Sequence, residues 1–106
     1  MDINRNYGIF LTESAKMDLK NIYNYISDNL KEPIIAHKLM RKIEKSIYSL
    51  ERLPYRYAET TIKPHNKKLR RIIINKYIVL YKINEANSQV IIYNVLYGAK
   101  DYLKYF

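Results

Sequence analysis

The sequence predicts an α+β fold: an N-terminal strand and a two-helix hairpin packed on a three- to four-stranded antiparallel sheet. Three observations carry this expectation. Apolar residues recur twice at helical spacing in the first half of the chain, and β-branched and aromatic residues fill three short runs in the second. Only 2 Gly and 3 Pro in 106 residues leave few breaks between elements, and at this length the chain makes one domain over 1–106.

The elements follow in order. Tyr7, Gly8, Ile9, Phe10 and Leu11 form a short β-rich run, and Thr12, Glu13 and Ser14 after it are helix-starting residues. Ala15, Leu19, Ile22, Tyr23 and Ile26 then share one face of a helix that fades near Asn29. Pro33 suits the first turn of a second helix, in which Ala36, Leu39, Met40, Ile43, Ile47 and Leu50 repeat until Leu53 and Pro54 stop the run. The stretch 55–65 has no period and reads as loop with a short strand at 60–62. Runs at 69–74 and 77–83, separated by Asn75 and Lys76, make a tight hairpin without the usual Gly, and 90–97 adds a third strand. In the middle strand Tyr77, Val79, Tyr81 and Ile83 alternate with Ile78, Leu80 and Lys82, so both faces are covered and the strand is central. Gly98 ends the last strand ahead of an aromatic-rich tail, 99–106.

Several classes of chemistry are excluded. Without Cys there is no disulfide scaffold, thiol nucleophile or iron–sulfur site, which suits a reducing cytosol. No apolar run approaches the ~20 residues of a membrane span, and the first residues lack a secretory h-region, so a soluble cytoplasmic chain with no membrane partner is expected. His37 and His65 do not stand at metal-ligand spacing, the serines lack a nucleophile-elbow context, and no Gly-rich phosphate loop exists; neither metal nor cofactor is expected. Asp18, Asp28, Glu44 and Glu51 read as surface charge balance on the helices, and Tyr23, Tyr77, Tyr81 and Tyr93 as core.

What remains is charge. With 19 Lys+Arg against 10 Asp+Glu the chain carries +9, which points to nucleic acid or an acidic protein as partner. No acidic residue lies between Thr60 and Asn84, where Lys63, Lys67, Lys68, Arg70, Arg71, Lys76 and Lys82 cluster with His65 and tyrosines. Such a surface binds phosphates by charge neutralisation and bases by stacking, or holds an acidic protein segment; the plainer reading is a solvated basic face. Strand alternation puts Arg70 with Ile72 and Ile74, and Arg71 with Leu69 and Ile73, so the two arginines cannot serve one surface.

The phrases Leu11-Thr12-Glu13-Ser14-Ala15, Leu69-Arg70-Arg71-Ile72, Lys76-Tyr77-Ile78-Val79-Leu80-Tyr81 and Val95-Leu96-Tyr97-Gly98-Ala99-Lys100-Asp101-Tyr102 resemble, in order and spacing, the RelE/ParE superfamily of bacterial type II toxins. The resemblance covers nearly the whole chain. It implies a toxin neutralised by a cognate antitoxin encoded beside it, meeting DNA only indirectly through that antitoxin. The RelE branch implies a ribosome-dependent mRNA endonuclease, the ParE branch an inhibitor of DNA gyrase that is not a nuclease.

Carried over position by position, a basic strand residue of the nuclease branch falls on Arg71. The Arg after the central strand's aromatic falls on Ile78, the Arg after the last strand's Gly on Lys100, and the C-terminal Tyr near Phe106, with Tyr105 or Tyr102 as substitutes. Tyr97 stands where many relatives carry His. Ile78 cannot hold a phosphate, and the Gly-x-x-Asp phrase of Gly98 and Asp101 is nearer to ParE-like chains. The resemblance therefore implies gyrase as target and no enzyme activity, with Lys67, Lys68, Arg70, Lys76, Tyr97, Tyr102, Tyr105 and Phe106 in target or phosphate binding. In the alternative, a ribosome with mRNA is the target and Arg71 and Lys100 are catalytic. A plain nucleic-acid-binding module, or a toxin relic, is the reading from another class.

Overall fold

The computed structural model describes residues 6–62 and 67–98, with the side chains of Thr61, Ile62 and Lys67 left aside. Strand β1 (Gly8–Leu11) leads into helix α1 (Glu13–Asn24), whose last turn widens into a π-helical turn (Tyr25–Asn29) before helix α2 (Pro33–Tyr48). Two 3₁₀ turns, Ser49–Glu51 and Pro54–Arg56, then lead to β2 (Glu59–Ile62), β3 (Lys67–Ile74), β4 (Tyr77–Asn84) and β5 (Gln89–Tyr97). No helix among the described residues is long and apolar enough to cross a membrane.

Local chemistry explains each boundary. Thr12 caps α1: its Oγ1 accepts from the Ala15 amide at 3.1 Å, and its hydroxyl donates to the Tyr93 carbonyl at 2.8 Å, fixing the helix start to β5. Between the helices Lys31 takes a left-handed φ of 57°, and Pro33 occupies the first turn of α2, where a missing N–H costs nothing. Ala36, Leu39, Ile43 and Ile47 are the buried stripe of α2, at steps of three and four. In the β3–β4 hairpin Asn75 supplies the positive φ, 54°, that a tight turn needs, and so replaces the absent Gly. Lys42 on α2 donates to the Asn75 side chain at 2.8 Å and ties that turn to the helices.

The sheet runs β1-β5-β4-β3-β2, with β4 at its centre as the alternation requires. It is larger than expected and mixed. β1 joins it as a parallel partner of β5, with Ile9 opposite Val90, while the other pairs are antiparallel. The two helices supply the long crossover that a parallel pair requires, a relation across some eighty residues that local pattern does not reveal. A bulge in β5 at Tyr93 shifts the register, because Leu80 stands opposite Asn94 and Tyr81 opposite Ile92.

Both helices cover one face. There Ile72, Ile74, Val79, Tyr81, Val90, Ile92 and Val95 join Ala15, Ile26 and the α2 stripe in the main core. The opposite face carries a smaller cluster of Leu69, Ile78, Leu80 and Leu96, with Tyr93 packed against it.

Candidate functional site

The basic strand β3 presents two different surfaces. On the helix side the 3₁₀ turn at Pro54–Arg56 folds over the sheet and is held by two side chains of the sheet. Tyr81, 0% exposed, donates its hydroxyl to the Pro54 carbonyl at 2.6 Å. Arg70 donates to the Tyr57 carbonyl at 2.6 Å and the Tyr55 carbonyl at 3.3 Å, pairs with Glu59 at 3.1 Å, and lies 5.0 Å over the Tyr55 ring. Its side chain is 19% exposed, so this guanidinium works as a staple between β3, β2 and the turn.

Next to this staple lies a cleft of about 230 Å³, walled by Tyr55, Glu59, Lys68, Arg70, Tyr81, Lys82 and Ile83. Lys68 is exposed at its mouth, while the exposed Lys82 alternates with Tyr81 and Ile83 and so belongs to the opposite face of the sheet. At one side Glu85 accepts the hydroxyls of Tyr7, at 3.0 Å, and of Tyr55. That bond to a carboxylate, followed by loss of solvent, pushes the Tyr55 phenol up to about 12. Burial pushes Tyr81 up as well. These groups stay protonated donors at neutral pH and are unsuited to proton abstraction.

The other face holds Arg71, half-buried, opposite Leu80. Around it Leu69, Ile78, Leu80 and Leu96 are buried, Ile73 is 64% exposed, and Lys82, two residues past Leu80 in β4, shares the face. Ile78, where the resemblance would place a second cation, is 7% exposed within this cluster.

The sequence-predicted residues are thus dispersed. Lys68 and Arg70 meet at the cleft; Arg71 is on the opposite face. Lys76 is exposed in the hairpin turn, and its carbonyl accepts the Gly98 amide at 2.6 Å. Tyr97 stands opposite Tyr77, their rings edge to face at 5.6 Å. Burial, followed by the neighbouring Tyr97, pushes the Tyr77 phenol up. Lys67 is placed by its backbone alone, opposite Ile62. Lys63, His65, Lys100, Tyr102, Tyr105 and Phe106 lie outside the described residues. Tyr55, Glu59, Glu85 and Tyr7 were not singled out by sequence, since only tertiary folding brings these distant positions to one end of the sheet. Among the described residues no three His, Cys, Asp or Glu side chains gather as metal ligands do.

A helical hairpin laid on one face of a five-stranded mixed sheet, with a basic strand beside the edge, is a fold of the RelE/ParE-like class. A model of the ParE toxin of the type II toxin–antitoxin system, parDE, matches residues 9–102, and the chain belongs to this family. Two solved structures share the fold. One is the RelBE2 toxin–antitoxin complex of Mycobacterium tuberculosis, at 21% identity and a TM-score of 0.62, covering 92% of this chain and 97% of that one. The other is the chromosomal ParDE system of P. aeruginosa, at 16% identity and a TM-score of 0.67, covering 84% and 92%. No curated protein matches at a significant level.

Proposed function

We propose that this toxin, a single unit over 1–106 acting in the cytoplasm, arrests growth by protein–protein contact with DNA gyrase and is held inactive by a cognate antitoxin. The observation that carries this reading is Ile78, buried among Leu69, Leu80 and Leu96 on the face that bears Arg71. RNA cleavage needs preorganised cations around the scissile phosphate, and removing one such donor costs on the order of 10²–10³ in rate. An apolar neighbourhood serves a protein interface better, since interface cores are depleted in charge and enriched in aromatic side chains. The residues 99–106, with Tyr102, Tyr105 and Phe106, would extend that contact.

The test is a supercoiling assay with purified toxin. Loss of gyrase activity that grows with toxin is expected; unchanged supercoiling at excess toxin overturns the reading. A parallel translating extract addresses the RelE-like alternative, which Arg71 keeps in play: intact message is expected, and cleavage that needs Arg71 and Lys100 would establish the endonuclease instead.

A further inference from the structure

We infer that the outward face of α2 is a DNA-binding surface, a row of three cations, Lys38, Arg41 and Lys45, that seats the phosphate backbone of a duplex without reading its sequence. The inference goes beyond the proposed reading, in which the toxin's own contacts are with proteins.

The placement follows from the period of the helix. Ala36, Leu39, Ile43 and Ile47 are the buried stripe of α2, and at about 100° per residue Ile34, Lys38, Arg41, Lys45 and Tyr48 lie on the opposite side. All five are exposed. From Pro33 to Tyr48 four cations stand against one carboxylate, Glu44. Lys42, at the flank of the row, is bonded to Asn75 at 2.8 Å. Lys38, Arg41 and Lys45 have no ion-pair or hydrogen-bond partner among the described residues.

The row does not serve the helix itself. Like charges three and four residues apart repel and weaken a helix, and of the three only Lys45 lies in the last turn, where a cation complements the helix dipole. Helix α1 shows the ordinary arrangement, with Lys16 paired to Glu13 at 3.3 Å. A row of unpaired like charges is stabilised when an anion lies against it.

Spacing selects duplex DNA as that anion. Lys38 and Lys45 stand about 10 Å apart along the axis, at ~1.5 Å per residue. Each strand of B-DNA brings one phosphate per roughly 3.4 Å of its own axis, so that length faces about three phosphates, one for each cation. Tyr48, 55% exposed and one turn further on, adds a hydroxyl of the kind that donates to phosphate oxygens. An acidic protein surface fits less well. Interface cores are apolar and depleted in charge, whereas the apolar side chains of this row, Ile34 and Tyr48, stand at its two ends with only cations between them.

The experiment measures binding of a fluorescently labelled DNA duplex to purified toxin by anisotropy across a salt series. The logarithm of the affinity should fall against the logarithm of salt with a slope of about −3, near 0.9 for each phosphate neutralised. Lys38→Gln, Arg41→Gln and Lys45→Gln should each weaken binding several-fold at low salt and reduce the magnitude of the slope by roughly 0.9. Gln keeps the helix propensity of the residues it replaces, and circular dichroism checks that each variant is folded. Lys20→Gln on α1 and Lys68→Gln on β3, exposed cations elsewhere, should leave the slope unchanged. Equal changes in all five variants would mean that net charge alone is acting, and would overturn the inference. So would no measurable binding of the duplex, a slope that none of the variants alters, or tighter binding of polyglutamate than of the duplex through the same three residues.

Discussion

The Asp18 carboxylate accepts the backbone amide of Val95 at 2.9 Å, joining the middle of α1 to the last strand across 77 residues of sequence. The same oxygen accepts the Asn94 side-chain amide at 3.1 Å. β1 pairs with β5 as far as Leu11 opposite Ile92, and past that point no strand among the described residues lies beside the edge of β5. Thr12 and Asp18 take over, one satisfying a carbonyl at Tyr93 and the other an amide at Val95.

Asp18→Ala leaves a partly buried amide without its acceptor. A loss of about 1–3 kcal/mol is expected, the range for a hydrogen bond to a charged group, with Asp18→Asn recovering part of it through its carbonyl oxygen. Urea unfolding measures both. A change within error for Asp18→Ala would mean that water or Asn94 replaces the carboxylate without cost.

Arg70→Ala removes the staple across β2, β3 and the Pro54–Arg56 turn. It deprives two carbonyls and Glu59 of donors and should destabilise by about 2–4 kcal/mol. Arg70→Lys should restore less than half of this, because a single ammonium cannot span the two carbonyls and the carboxylate or stack on Tyr55 in the same way. Thermal unfolding of the three proteins decides it.

Much of the fold was legible because it is written in periodicity. The stripe of Ala36, Leu39, Ile43 and Ile47, and the alternation of Tyr77, Val79 and Tyr81, are local patterns that the structure repeats. The parallel place of β1 was not legible, since Gly8–Leu11 gives no sign of which strand it will lie against. The cleft was half legible. Lys68 and Arg70 stood out in a run without acidic residues, and alternation separated Arg70 from Arg71. Glu59 and Glu85, which give the site its charge balance, flank that run and join it only through the fold. Arg70 looked like a free phosphate ligand because sequence shows a charge and not the carbonyls it will meet.

Gly98→Ala tests how closely the end of β5 packs on the β3–β4 turn. A Cβ at this position would sit 3.0 Å from the Lys76 carbonyl oxygen and 3.4 Å from a methyl of Ile78. The carbonyl is backbone in a two-residue turn and cannot swing aside, so the strand end must shift and the 2.6 Å bond from the Gly98 amide to that oxygen must lengthen. The expected cost is about 1–3 kcal/mol, as for overpacking. An unchanged midpoint of denaturation would show that the turn yields.

Alkaline pH should act through Tyr55. Its phenol is raised in the folded state from 10.0 to about 12, first by the bond to Glu85. A raised pKa gives stability that is complete below the unfolded value and lost as pH rises through the folded one, so the loss falls between about pH 10 and 12. Tyr81, raised by burial, acts in the same direction. Tyr55→Phe should lower stability at pH 8 and show a shallower decline above pH 10 than the parent chain. Parallel declines would remove the Tyr55–Glu85 bond from the account.

Arg71→Ala separates the two target readings by the size of its effect. In a nuclease a cation beside the scissile phosphate acts in the transition state, and its removal should lower activity by about 10²–10³. In a protein interface truncation of most residues costs less than about 1 kcal/mol, and an Arg outside the central cluster lowers potency by no more than roughly tenfold. Arg71 lies half-buried next to an apolar cluster, with Ile78 where a second cation would be needed, so the smaller figure is expected. Titrating purified toxin against gyrase supercoiling, alongside graded expression and cell growth, reads the change directly. A hundredfold fall in growth arrest with the fold intact by circular dichroism would return the chain to the endonuclease reading.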